Sequence, residues 1–154
     1  MLKTCKIRLY PNKIQQQTIA SQIGGSRYIF NRMLSLRKNA YEKFGKNISK
    51  FDLNKHATKL RKRSKTSWLK DVDSQVLQQA IGNMDLAYKN FFRRVKNGEA
   101  PGFPKFRSKH HSRQTFQYPQ RVKINDDLNK IYLPKVGWVK CKGFRKSFAG
   151  QIKT

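Results

Sequence analysis

Thr4-Cys5-Lys6-Ile7-Arg8-Leu9-Tyr10 alternates strictly, with Cys5, Ile7 and Leu9 on one side and Lys6, Arg8 and Tyr10 on the other. A period of two is the mark of a strand with one buried face. This stretch decides the fold because no second strand-like run appears before Thr115, and a lone strand leaves a row of unpaired backbone N–H and C=O groups. It must return to the C-terminal part of the chain, where short alternating runs recur at Thr115 to Tyr118, Val122 to Asn125, Lys130 to Leu133 and Trp138 to Lys142. Between two of these runs, Asn125-Asp126-Asp127-Leu128-Asn129 is a hairpin turn signal. Whatever separates the first strand from the others is then an insertion into a small β-barrel or curled sheet.

The inserted segment has helical periodicity. Pro11 ends the strand and suits the first turn of a helix carried by Ile14, Ile19, Ala20 and Ile23 up to Gly24-Gly25. Ser26 caps a longer helix through Tyr28, Ile29, Phe30, Met33, Leu34, Leu36, Tyr41 and Phe44, which Gly45 stops. A shorter helix follows at Leu53, Ala57 and Leu60 and runs into the cluster Lys59, Arg61, Lys62, Arg63 and Lys65. Asp73 or Ser74 caps the most regular helix, in which Leu77, Ala80, Ile81, Met84, Ala87, Tyr88, Phe91 and Val95 recur at steps of three and four until Asn97-Gly98. From Glu99 the texture changes to Ala100-Pro101-Gly102-Phe103-Pro104-Lys105-Phe106 and a basic loop. The fold class is thus α+β, a helical bundle inserted after the first strand of a β-barrel, with boundaries at 1–10, 11–98, 99–112 and 113–154.

Charge narrows the partner. The 154 residues hold 35 Lys and Arg against 8 Asp and Glu, a formal charge of +27, alongside ten Phe, six Tyr and two Trp that can build a core. Such a surplus repels itself unless a polyanion neutralises it. No run approaches the roughly 20 apolar residues of a membrane span, and Met1 to Lys6 has no signal-peptide apolar stretch, so nucleic acid is the expected partner and the cytoplasm the expected location. Cys5 and Cys141 have no C-x-x-C neighbour, which speaks against a disulfide scaffold or zinc ribbon.

No constellation reads as catalytic. Asp71 and Asp73 read as loop and cap residues, Asp126-Asp127 as a turn, His110 and His111 as loop neighbours, and His56 stands alone on a helix. The basic residues are most simply phosphate contacts; Arg8, Arg27, Arg32, Lys62, Arg63, Arg93, Lys105 and Arg107 are the candidates. With Arg27, Asn31, Arg32, Arg37 and Lys38 on its second helix, the Ile14 to Phe44 segment reads as a helix-turn-helix in contact with nucleic acid, against the plainer alternative of a packed αα-hairpin. The Ser- and Gln-rich helix start after Asp73 can offer side-chain amides to base edges. Trp68 reads as a core anchor rather than a stacking platform; Phe92 could cover a neighbouring helix or stack on a base, and packing is favoured over base contact for Phe103 and Phe106.

Six blocks carry a family resemblance. Arg8-Leu9-Tyr10-Pro11, Arg27-Tyr28-Ile29-Phe30-Asn31, Trp68-Leu69 with Asp73 and Leu77-Gln78, Ala87-Tyr88-Lys89-Asn90-Phe91-Phe92-Arg93, Gly102-Phe103-Pro104-Lys105-Phe106 and Leu133-Pro134-Lys135-Val136-Gly137-Trp138-Val139 occur in that order. Together they resemble the N-terminal part of TnpB (OrfB), the transposon-encoded RNA-guided endonucleases, also described as transposases. The resemblance implies a recognition lobe inserted in a wedge-like β-barrel, binding a guide RNA from the transposon end and a short motif in duplex DNA. It also implies Ser74, Gln75 and Gln78, with Asn54 and Lys50, as motif-reading residues. Sequence beyond the motif would be read by base pairing. Family members continue into a RuvC-like domain with metal-binding carboxylates and a zinc ribbon. Since the sequence stops at Thr154, the expectation is a truncated, binding half with no catalytic residues and no cofactor of its own, Mg and Zn belonging to the missing domains. The alternative is a stand-alone helix-turn-helix regulator derived from a transposase.

Overall fold

The computed structural model describes residues 4–125 and 129–143. In chain order the elements are β1 (Arg8–Tyr10), α1 (Lys13–Phe44), α2 (Lys50–Lys62), a 3₁₀ segment (Ser64–Lys70), α3 (Ser74–Lys96), β2 (Lys123–Asn125), β3 (Lys130–Leu133) and β4 (Gly137–Lys142). They form two compact units: residues 1–21 with 118–154, and residues 22–117.

In the first unit the N-terminal strand does return to the C-terminal strands. The sheet is antiparallel with order β1-β4-β3-β2, and Leu9 stands opposite Cys141. β1 is shorter than the alternation from Thr4 suggests, because β4 pairs with it only from Lys140 to Lys142. Ile131, Leu133, Val139 and Cys141 form the buried side. Asn12 and Gln15 make a reciprocal capping box at the start of α1, the Gln15 N–H donating to Asn12 Oδ1 at 2.8 Å and the Asn12 N–H to Gln15 Oε1 at 3.1 Å. The cap is therefore Asn12, with Pro11 just outside it. Gln15 also reaches the Trp138 carbonyl at 2.8 Å and ties this helix start to β4.

The described strands do not close into the expected barrel. Among the described residues the sheet is open, with β1 and β2 at its edges, and four strands of three to six residues are too few and too short to close on themselves. The extra strand expected at Thr115 to Tyr118 does not form. Tyr118 is instead a buried anchor whose hydroxyl donates to the Pro134 carbonyl at 2.7 Å.

In the second unit, Ile29, Met33 and Leu34 of α1, Leu53 and Leu60 of α2, Leu69 and Val72 after it, and Val76, Ile81 and Met84 of α3 form the core. The start of the chain is helical as expected, but Gly24-Gly25 is not a turn: α1 runs unbroken for 32 residues. The reason for the glycine is close approach. A Cβ on Gly25 would sit 2.5 Å from Val72 Cγ2, so only glycine lets the helix lie against the segment that leads into α3. The turn comes at Gly45, whose left-handed φ of 61° and bond to the Tyr41 carbonyl close α1 as anticipated.

Candidate nucleic-acid interface

The start of α3 is built from three directions. Asp73 caps it by accepting from the Gln75 N–H at 2.8 Å, and Ser74 begins the helix. Gln22, fully buried on α1, clamps the same corner: its Oε1 accepts from the Asp73 N–H at 2.9 Å while its Nε2 donates to the Asp71 carbonyl at 3.1 Å. A helix start held this rigidly keeps the side chains of its first turns in fixed positions. Gln75, Gln78 and Gly82 recur at steps of three and four, so they share one stripe of α3. The Lys50 Nζ of α2 lies over that stripe, 3.5 Å from where a Cβ on Gly82 would be. Asn54, one turn along α2, donates to the Lys50 carbonyl at 3.0 Å, and its Oδ1 is buried with no partner among the described residues. Lys50 thus comes to α3 at Gly82, one turn beyond Gln78, with Asn54 beside it on α2, while Ser74 and Gln75 lie two turns earlier, at the helix start; Gln78 and Lys50 are exposed, and Ser74, Gln75 and Asn54 half-buried.

A second cluster lies on α1. Gly24, Arg27, Tyr28, Asn31, Arg32 and Trp68 line an open pocket of about 550 Å³. Trp68 is 40% exposed and meets Tyr28 edge to face with ring centroids 5.3 Å apart. This corrects its assignment as a core anchor: its neighbour Leu69 takes the buried position, leaving the indole on the surface. Arg32, Arg63 and Lys59 surround His56. Its imidazole is held below the ordinary value first by burial and then by those three positive charges, both of which disfavour the protonated form.

The remaining basic candidates separate. Arg107 is half-buried, with its guanidinium 3.8 Å from the Phe30 ring centre. Its backbone is gripped by Asn31, which accepts from the Arg107 N–H and donates to the Arg107 carbonyl, both at 2.8 Å. Arg27 donates to Gln114 at 2.7 Å, which ties down the same loop. Lys62 and Lys105 are exposed, Arg93 reaches Glu99 at 3.6 Å on the surface, and Arg8 lies in the sheet of the other unit. Arg37, grouped with the nucleic-acid contacts from its position on α1, is buried instead. It donates to Asp85 at 2.9 Å and to Asn47 at 2.8 Å, and its guanidinium lies 4.3 Å from the centre of the Tyr88 ring. Phe103 packs edge-on against Tyr88 and Phe91, as expected; Phe92 stacks on Tyr88 and meets Phe91 edge to face while staying 55% exposed, and Phe106 is 55% exposed as well.

Gln22 and Asp85 escaped the sequence reading. Each is a polar residue on an otherwise apolar stripe. Asp85 falls one turn beyond Ile81 and one step beyond Met84, and such a position was itself the signal of a buried partner. Among the described residues no group of three His, Cys, Asp or Glu could hold a metal ion, and no helix is long and apolar enough to cross a membrane.

Residues 1–46 match the OrfB_IS605 helix-turn-helix domain. The chain is 33% identical over 145 residues to InsQ of Escherichia coli K12, which is named as an RNA-guided DNA endonuclease; the match covers 94% of this chain and 35% of InsQ. It is 33% identical over 117 residues to the virulence protein VsdF of Salmonella dublin, covering 71% of this chain and 96% of VsdF. The chain belongs to the TnpB/OrfB family. A Streptomyces pristinaespiralis TnpB/OrfB relative, also named as an RNA-guided DNA endonuclease, is 26% identical over 113 residues, 73% of this chain and 27% of its own length. The chain therefore spans about a third of the long TnpB/OrfB relatives and nearly all of the short one. The matched domain is described as helix-turn-helix, and the turn within this stretch falls at its C-terminal end, at Gly45, rather than at Gly24-Gly25.

Proposed function

We propose that this chain is a nucleic-acid-binding arm of the TnpB/OrfB system that holds a guide RNA from the transposon end and a short motif in duplex DNA, without cutting DNA itself. The observation that carries the reading is the stripe of Gln75, Gln78 and Gly82 that runs from the rigidly clamped start of α3, with the Lys50 ammonium over it at Gly82. Amide side chains can pair bidentately with adenine in a major groove, and a flanking lysine can neutralise the adjoining phosphate. The basic and aromatic pocket around Trp68, Arg27 and Arg32 supports contact with the second nucleic acid. The names of the InsQ and Streptomyces relatives support RNA-guided action on DNA.

The test is to incubate the chain with Mg²⁺, transposon-end RNA and a duplex carrying the matched target. Binding that requires the RNA and the motif, with the DNA left intact, is expected; reproducible cleavage, or binding indifferent to both, would overturn the proposal. The rival regulator reading places DNA contact on a hairpin within Ile14 to Phe44, and that segment is one uninterrupted helix. A tight, RNA-independent complex with a single duplex operator would restore the rival.

A further inference from the structure

The sheet has two unlike faces. Residues directly opposite in an antiparallel ladder share a face, so the register places Arg8 with Lys142, Tyr10 with Lys140 and Lys130, and Tyr132 with Trp138 and Lys123 on one side. The other side holds Leu9, Ile124, Ile131, Val139 and Cys141. The polar side carries three aromatic rings and five basic residues, and among the described strand residues it has no acid.

Its rings are accessible. Tyr10 is 44% and Trp138 45% exposed, and Tyr132 meets Trp138 edge to face at 5.6 Å. Arg8 and Lys142 lie over the Tyr10 ring at 5.8 and 5.9 Å. Folding alone does not account for this composition. Lys130 directly faces Lys140 and Arg8 directly faces Lys142, and like charges in register oppose pairing of their strands. Phosphates laid across the face would remove that repulsion. A duplex offers phosphates but hides its base faces, whereas an unpaired strand offers both, and base stacking on aromatics tolerates any sequence.

We propose that this sheet face is a stacking platform for an unpaired RNA strand, with Tyr10, Tyr132 and Trp138 under the bases and the interleaved Lys and Arg side chains on the phosphates. Trp138 and Tyr10 sit on neighbouring strands, offset diagonally by roughly 7–8 Å, so successive splayed bases can meet different rings. The assignment to RNA, rather than DNA, rests on the guide-RNA reading above, in which the DNA partner is a duplex. The platform belongs to the first unit and the α3 stripe proposed to read that duplex to the second.

The test titrates the full chain with a twelve-nucleotide oligouridylate and follows the part of the tryptophan emission that Trp138→Phe abolishes. Saturable quenching of Trp138 emission is expected. Trp138→Ala and Tyr132→Ala should each weaken oligouridylate binding about tenfold or more, from stacking worth ~1–3 kcal/mol per base. Trp138→Phe and Tyr132→Phe should keep most of the affinity, and cooperative urea unfolding followed by circular dichroism is the check that all four variants fold. Unquenched Trp138 emission at saturation, or alanine variants that bind oligouridylate like the parent, would overturn the platform. Oligothymidylate bound more tightly than oligouridylate would overturn the RNA assignment. Quenching by oligouridylate without selectivity for transposon-end RNA would uphold the platform while the guide-RNA reading fails. Selective binding of that RNA with Trp138 unaffected would do the reverse.

Discussion

Gly24 and Gly25 are adjacent in one helix, yet alanine should act on them in opposite directions. In a helix interior, replacing glycine by alanine contributes about 1 kcal/mol of stability from backbone entropy alone. At Gly24 nothing lies within 4 Å of the new methyl, so Gly24→Ala should keep that gain. At Gly25 the methyl would come to 2.5 Å from Val72 Cγ2 and 2.8 Å from Val72 Cγ1. Carbon atoms rest at about 3.5–4.0 Å, so a shift of about 1 Å is required in a packed core, and such overpacking costs typically ~1–3 kcal/mol. The helix-propensity term is common to both sites, so the difference between the two variants isolates the steric term at about 1–3 kcal/mol. Urea unfolding followed by circular dichroism measures it directly. In heat the two midpoints should differ by roughly 2–4 °C per kcal/mol. Val72→Ala should relieve part of the Gly25→Ala penalty, since the two side chains then no longer compete for the same space. Equal destabilisation by both alanines would refute the argument, because that is the outcome expected if Gly24-Gly25 were a turn with left-handed backbone.

Other outcomes follow from the buried polar groups and the interface. Asp85→Ala leaves the Arg37 guanidinium buried without its carboxylate and should cost about 3–5 kcal/mol in urea unfolding, whereas replacing both by apolar residues of similar size should recover most of the loss. Burial pushes the Asp85 carboxyl up, but hydrogen bonds from Arg37 and Lys89, together with their charges, outweigh it and hold it below its ordinary value. A folded-state pKa lower than the unfolded one means that the pair's stabilisation is complete above about pH 4 and is lost as pH falls through the lowered value. An acid titration of stability should therefore flatten in Asp85→Asn. Gln22→Leu removes both hydrogen bonds that clamp the start of α3 and should cost about 1–3 kcal/mol, with loss of motif preference in a binding assay as well. Gln78→Ala should relax the motif preference with little change in salt dependence. Arg27→Ala and Arg32→Ala should each reduce the slope of log affinity against log salt by about one.

Several elements were legible in the chain because their signals are local. Asp73 as a cap, Gly45 and Gly98 as left-handed stops and the apolar stripe of α3 depend on neighbours within a few residues, while the turn signal at Asp126-Asp127 lies outside the described residues. The return of β1 to β4 was legible for a different reason, since an unpaired strand is costly wherever its partner lies. The Gly24-Gly25 pair was misread because glycine serves two needs that look identical in a sequence, a left-handed turn and a close approach. Only the position of Val72 distinguishes them. Arg37 and Trp68 were exchanged, one expected outside and one inside, because a charge belongs in the core only when a counter-charge such as Asp85 meets it there.

By itself, the sequence determined that the chain is strongly basic, that its helices interrupt a sheet, and where most of them stop. These follow from composition and from periodicities of two and about three and a half, which each segment carries alone. Among the described residues, tertiary structure alone decided that the sheet stays open, that Lys50 lies over α3 at Gly82, and that Tyr10, Tyr132 and Trp138 share a face. Each of these rests on which residues distant in the chain become neighbours, and that is set by packing and strand register.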